Sequence, residues 1–193
     1  MDDLNRREFF KVGTATLAAG AIAANRVSAA EEQSQLPFAA PPIEQVRVGF
    51  VGIGGQGSGH VTNLLQIPGC RITAVCDIRS ARTDWATSQV TAAGHPAPTA
   101  YTRGPRDFER LCETEQLDLV FNAAPWEWHA PIMLAAMKNG KHTATEVPAV
   151  MTLDDCWAIV EASEKHRRHC VMMENCNYDR MEMMVFNMVR KGL

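Results

Sequence analysis

An unbroken apolar run, VRVGFV, stops abruptly in GIGGQGSG, which packs five glycines into the eight residues Gly52 to Gly59. Glycine loses more backbone entropy on ordering than any other residue, so a cluster marks a tight turn or a backbone that something must approach closely. Gly52, Gly54 and Gly57 fit G-x-G-x-x-G, a weak signal alone. The context narrows it. The preceding run reads as a strand buried on both faces, and SGHVTNLLQI after it reads as a short amphipathic helix. The next strand-like run, RITAVCD, ends in Asp77, 20 residues beyond Gly57. Strand, glycine turn, helix, strand and acid together make the fingerprint of a dinucleotide-binding βαβ unit. Gly52 permits the turn, Gly54 lets the backbone reach a pyrophosphate, and Gly57 lets the helix lie close to the strand. The helix N-terminus offers donors and partial positive charge to the phosphates. Asp77 suits the adenosine ribose hydroxyls and repels a 2′-phosphate, which favours NAD, while Arg79 nearby keeps NADP open.

Strand-like and helix-like segments keep alternating to the end of the sequence. PTAYT, LDLVFNAAP, KHTATEVP and CVMMENCNY read as further strands. RSARTDWATSQVTAAG, PRDFERLCE, EWHAPIMLAAMKNG, TLDDCWAIVEASEKHRRH and DRMEMMVFNMVRKGL read as helices. Thr152 and Asp155 are spaced as a capping box. Cys156, Ile159, Val160 and Ser163 predict a narrow inward stripe on that helix, and the methionines of the last helix read as core filler. The expected fold is α/β, a doubly wound parallel sheet with right-handed crossovers and helices on both faces. The expected Rossmann domain runs over 46–178, with 179–193 as a helix leading onward.

The first thirty residues read differently. Arg6 and Arg7 precede a short, weakly hydrophobic run from Val12 to Ala24 and the small residues Ser28, Ala29 and Ala30. That run is too short to span a bilayer comfortably. The pattern resembles a twin-arginine (Tat) export signal over 1–30, which implies transport of an already folded protein to the periplasm or beyond. Residues 31–45 read as a Pro- and Ala-rich linker. A net charge of −3 with no basic stripe argues against a nucleic-acid partner. The six cysteines show no metal-type spacing and read as small buried hydrophobes.

From Val46 onward the chain resembles the Gfo/Idh/MocA oxidoreductases: NAAP at the end of the fourth strand, a histidine at the next helix start, and an E-x-P triplet after the fifth. The family triplet is usually Glu-Lys-Pro, whereas this chain has Glu146-Val147-Pro148, which weakens a plain sugar dehydrogenase reading. NAAPWEWHAPIMLAAMKNGKHTATEVPAVMTLDDCWAIVEASEKH and MMENCNYDRMEMMVFNMVRKGL resemble more closely the NAD-dependent glycosidases of glycoside hydrolase family 109, typified by α-N-acetylgalactosaminidase.

That resemblance implies redox-neutral hydrolysis of a glycoside: a hydride leaves C3 of the sugar for NAD, the C2 proton becomes acidic, the C1 group is eliminated, water adds, and the hydride returns. It implies that Gly55 and Gln56 face the pyrophosphate, and Asp77 the ribose. Trp126, Glu127, Trp128 and His129 are then expected to line the nicotinamide half. Glu146 and Val147 are expected to meet the nicotinamide ribose and ring, and Asn175 to close the site. No catalytic residue and no metal site are assigned. The family's second, open-faced β-sheet domain, which carries most groups acting on the sugar, is expected to be essentially missing, so that the chain by itself binds NAD without turnover. A sugar dehydrogenase and a non-catalytic NAD-binding module remain the alternatives.

Overall fold

The computed structural model describes residues 40–174 and 177–193. The twin-arginine segment, most of the linker, and Asn175 lie outside the described residues. Pro42–Leu193 forms one compact unit. Its elements run β1 (Val46–Val51), α1 (Gly55–Leu64), β2 (Cys70–Cys76), α2 (Ser80–Ala92), β3 (Thr99–Tyr101), α3 (Asp107–Thr114), β4 (Leu119–Asn122), a 3₁₀ turn (Trp126–Trp128), α4 (His129–Lys138), β5 (His142–Thr145), α5 (Leu153–His166), β6 (Cys170–Met172) and α6 (Arg180–Arg190).

The six strands lie in the order β3-β2-β1-β4-β5-β6, and every pair is parallel. The order reverses between β1 and β4, the place where doubly wound sheets open a crevice at the strands' carboxyl ends. The register lines those ends up. Tyr101, Cys76, Val51, Asn122, Thr145 and Met172 form one transverse row. One residue further on, the row delivers Asp77, Gly52 and Glu146 to the same rim.

Both sheet faces are covered, which explains why β1 reads as continuously apolar. Val48, Phe50, Ile72 and Val75 pack with Val61 of α1 and Ala86 and Val90 of α2. Val51, Cys76 and Val120 pack with Phe108, Leu111 and Cys112 of α3 and Ile132 and Ala136 of α4. Packing thins toward β6. The Thr152 cap forms as expected, its hydroxyl accepting from the Asp155 amide at 3.1 Å. The expected inward stripe forms only in part: α5 has no buried residue, Ile159 and Ser163 are half-buried, and Cys156 and Val160 are exposed. The face turned in on α5 runs through Ala158, Ile159, Ala162 and Ser163, where small side chains suit close packing on α4. The methionines of α6 are not core either, since that helix buries nothing.

Among the described cysteines, all free, Cys76 and Cys112 are buried, Cys70 and Cys170 half-buried, and Cys156 exposed. The small-hydrophobe reading therefore holds for the first two and fails for Cys156. Among the described residues no helix is long and apolar enough to cross a membrane.

Candidate functional site

The glycine turn begins where β1 ends. Gly52 adopts φ +85°, and an added Cβ there would lie 2.4 Å from the amide nitrogen of Ala124. A Cβ on Gly57 would lie 2.0 Å from the carbonyl oxygen of Gly52. These two glycines are fixed by chain packing alone. Gly54 and Gly55 differ: a Cβ at either would meet nothing within 4 Å. That open space adjoins the start of α1, whose N-cap Gly54 supplies no side-chain cap. The first amides of a helix have no acceptor within it. Uncapped donors, a helix dipole and free space at the same point fit a diphosphate.

Asp77, just beyond β2, has a side chain only 8% exposed. Its Oδ2 accepts from the Ile53 amide at 2.8 Å and its Oδ1 from the Arg79 amide at 2.9 Å. The carboxylate therefore pins the glycine turn to the end of β2, a role the motif does not reveal. Each oxygen retains a lone pair for a ribose hydroxyl. Beside it lies a cavity of about 110 Å³ lined by Ile78, Pro105, Phe108, Pro125 and Trp128, among others. This mostly apolar cavity beside a ribose-type carboxylate suits a base. Burial, with the Asp107 and Asp77 carboxylates adding to it, pushes the neighbouring Cys76 thiol up to about 12. It is no thiolate nucleophile at neutral pH.

The side chains of the PWEWH segment take three different directions. Trp128 turns toward the Asp77 side, its ring edge-on to Phe108 at 5.9 Å. Trp126 is 60% exposed, and Glu127 is exposed as well. His129 is 1% exposed. Its Nδ1 lies 2.6 Å from the Pro148 oxygen and its Nε2 2.8 Å from the Ala124 oxygen. With both ring nitrogens against backbone carbonyls, His129 ties the loop after β4 to the loop after β5 and has no nitrogen left for a ligand. A 3₁₀ turn separates the two tryptophans' directions, and nothing in the sequence announces that turn.

Glu146 stands at the other end of the rim, beyond β5. Its amide donates to the Asn122 oxygen at 3.0 Å, and its Oε2 accepts from the Val147 amide at 3.3 Å. Its Oε1 pairs with Nε2 of His60 and lies 3.4 Å from Nε2 of Gln56. Gln56 thus reaches from the glycine turn to β5, and Val147 is half-buried next to Glu146. The sequence reading omitted His60. The signal was available, because His60 follows Gln56 by four residues and so shares its helix face. Among the described residues no group of three or more His, Cys, Asp and Glu is arranged to hold a metal ion.

A parallel sheet of this order, with a glycine cradle and a carboxylate at each end of the crevice, defines a dinucleotide-binding Rossmann domain. Residues 46–174 match the oxidoreductase family with an NAD-binding Rossmann fold (Gfo/Idh/MocA), and the chain belongs to that family. It is 44% identical over 182 residues to a glycosyl hydrolase family 109 protein of Saccharopolyspora erythraea, covering 94% of this chain and 40% of the relative. It is 37% identical over 203 residues to an alpha-N-acetylgalactosaminidase of Shewanella oneidensis, covering 100% of this chain and 44% of that protein. The chain thus spans about two fifths of the length of these curated relatives. Among solved structures, scyllo-inositol dehydrogenase from Lactobacillus casei with NAD(H) and scyllo-inositol shares the fold at TM-score 0.67 and 21% identity, over 77% of this chain and 42% of that one. A dehydrogenase of Chromobacterium violaceum in complex with NADH and UDP-GlcNAcA does so at TM-score 0.68 and 20% identity, over 80% of this chain and 43% of that one. NAD is the cofactor of the domain.

Proposed function

We propose that this chain is the NAD-binding portion of an exported, NAD-dependent glycosidase of the α-N-acetylgalactosaminidase type. The observation that carries the reading is a glycine turn with open space at Gly54 and Gly55 in a chain 37% identical over its whole length to a protein of that name. Bound NAD supplies a temporary acceptor for the hydride on C3 of the sugar, so the net reaction is hydrolysis. While C3 is a ketone, the C2 proton is acidic enough to leave with expulsion of the C1 group, and water then adds. The chain's own residues bind and orient. The backbone at Gly54 and Gly55 and the start of α1 hold the pyrophosphate. Asp77 holds the adenosine ribose, and Glu146 and Val147 meet the nicotinamide side. No flanking pair of carboxylates is needed, unlike ordinary glycosidases.

The test supplies the chain with NAD and an aryl α-N-acetylgalactosaminide. Release of the aryl group without accumulation of NADH supports the glycosidase. NADH accumulating from a free sugar supports a dehydrogenase instead, the reading favoured by the dehydrogenases among its structural relatives. Cofactor binding with neither signal is the outcome expected of the NAD-binding portion alone. Joining the chain to the remaining length of a family 109 relative then separates a glycosidase portion, which gains aryl release, from a binding module, which does not. The export reading rests on Arg6 and Arg7. Replacing both by lysine is expected to hold a fused reporter in the cytoplasm, and unchanged export from cells lacking the Tat pore would refute it.

A further inference from the structure

We propose that His60 is a positioning residue for the nicotinamide half of the bound dinucleotide, acting through Glu146. The inference rests on the NAD-binding reading and extends it to a residue that the glycine motif does not include. Two carboxylates stand on the rim of the crevice, Asp77 beside the mostly apolar cavity and Glu146 on the far side of the order reversal. A dinucleotide lying across the start of α1 brings one ribose to each. Asp77 is held by two backbone amides at 2.8 and 2.9 Å. Glu146 has no such anchorage: its one backbone donor is the adjacent Val147 amide, at 3.3 Å. What fixes its side chain is His60, which pairs with Oε1.

His60 is itself held in one orientation. Its ring packs against Phe121 of β4, centroids 5.0 Å apart at 49°, and Phe121 stacks on Phe50 at 4.9 Å. The side chains of His60 and Glu146 are 22% and 11% exposed, so the pair is largely out of water. Gln56 closes the group, its Nε2 lying 3.4 Å from both His60 Nε2 and Glu146 Oε1. Oε1 is thereby occupied, and the remaining lone pairs of Oε2 are the ones free to accept from a ribose diol. Without His60 the carboxylate keeps only a long contact to Gln56 and its own neighbour's amide. A poorly anchored, half-desolvated carboxylate turns toward water, and the acceptor for the ribose goes with it.

The test is titration calorimetry of the full chain with NAD and, separately, with ADP, which lacks the nicotinamide half. His60→Ala is expected to weaken NAD about tenfold, the weight of one charge-assisted hydrogen bond, and to leave ADP within about twofold. His60→Gln, which keeps a donor, is expected to restore most of the NAD affinity. In a Glu146→Ala background, His60→Ala is expected to cost nothing more for NAD. Equal losses for NAD and ADP would overturn the proposal, as would an undiminished loss in the Glu146→Ala background. If His60→Ala fails to fold, His60→Gln decides: NAD affinity as in Glu146→Ala overturns the proposal, and near-native affinity supports it. Failure of NAD to bind the unaltered chain would instead sink the cofactor reading itself.

Discussion

At the Asp77 end of the crevice the polar groups offered to a ligand are held by backbone; at the Glu146 end they are held by side chains. The first is bounded by Gly52 and Gly57, whose absent Cβ atoms are replaced by main-chain atoms at 2.4 and 2.0 Å, and by a carboxylate held on two amides. The second depends on His60, Gln56 and Glu146 reaching across from α1 to β5. Beyond it the packing thins, with Val171 and Met172 of β6 about half exposed. Backbone geometry is dictated by where glycine is required and is rigid once the strands pair. Side-chain geometry is adjustable.

The sharpest way to break this contrast lies within the glycine motif. Gly57→Ala forces a Cβ against a carbonyl oxygen that the β1 turn holds in place. Overpacking against backbone costs about 3 kcal/mol, a fall in melting temperature of roughly 10 °C for a chain of this size. Gly54→Ala meets no atom of the chain, so it is expected to leave thermal unfolding unchanged while weakening NAD at least about tenfold, by filling space the pyrophosphate needs. Differential scanning calorimetry paired with NAD titration separates the two. Equal stability for both variants would show that the α1–β1 contact yields, and unchanged NAD affinity for Gly54→Ala would move the pyrophosphate elsewhere.

That same division governs what the sequence made legible. The six-stranded parallel sheet, the glycine turn and Asp77 follow from period, spacing and the conformational needs of glycine, all of them local. The split of PWEWH was not local: Trp128 turns to the Asp77 side and His129 inward because Ala124 and Pro148, distant from each other in sequence, present carbonyls to one ring. The pairing of His60 with Glu146 spans 86 residues, a distance over which helix periodicity gives a face but no partner. The α5 stripe was legible only at Ile159 and Ser163 for another reason: at two positions, 158 and 162, alanine faces inward, and alanine carries little hydrophobic signal of its own.

Two smaller effects sharpen the comparison. Asp77→Ala removes both the ribose acceptor and the pin on Ile53, and is expected to weaken NAD by about 1–3 kcal/mol and to narrow the preference over NADP. Competitive titration of the two cofactors reads this out, and equal affinity of the unaltered chain for both would contradict the assignment of Asp77. Trp128→Ala opens the apolar cavity and is expected to weaken ADP and NAD alike by about 1–2 kcal/mol. The neighbouring Trp126→Ala should change neither. A loss confined to NAD in the Trp128 variant would return that ring to the nicotinamide half.

The smallest effect expected concerns acid, and it compares an ion pair beside the Asp77 end with one at the amino-terminal edge of the sheet. Asp107, under the Asp77 end, is held below the usual carboxylate range by Arg110, whose guanidinium donates two bonds to it at 2.8 and 2.9 Å, with the Arg103 amide adding a third. Asp118, at the start of β4, is lowered by Arg47 in the same way. A carboxylate lowered on folding contributes stability that is fully present above its unfolded pKa, about 3.9, and is lost as pH falls through the lower folded value. These two pairs should therefore keep their contribution to stability down to about pH 4 and lose it below. Both arginines are partly exposed, so screening by solvent keeps each pair's contribution small. Asp107→Asn and Asp118→Asn should each be slightly less stable at pH 7, with a shallower decline between about pH 4 and pH 2. Urea midpoints taken across that range decide it, and variant curves that run parallel to the unaltered chain would show that neither pair differs between folded and unfolded states. If only the Asp107 variant flattens the acid limb, the charge set by folding is concentrated beside the rim at the Asp77 end and not at the opposite, amino-terminal edge of the sheet.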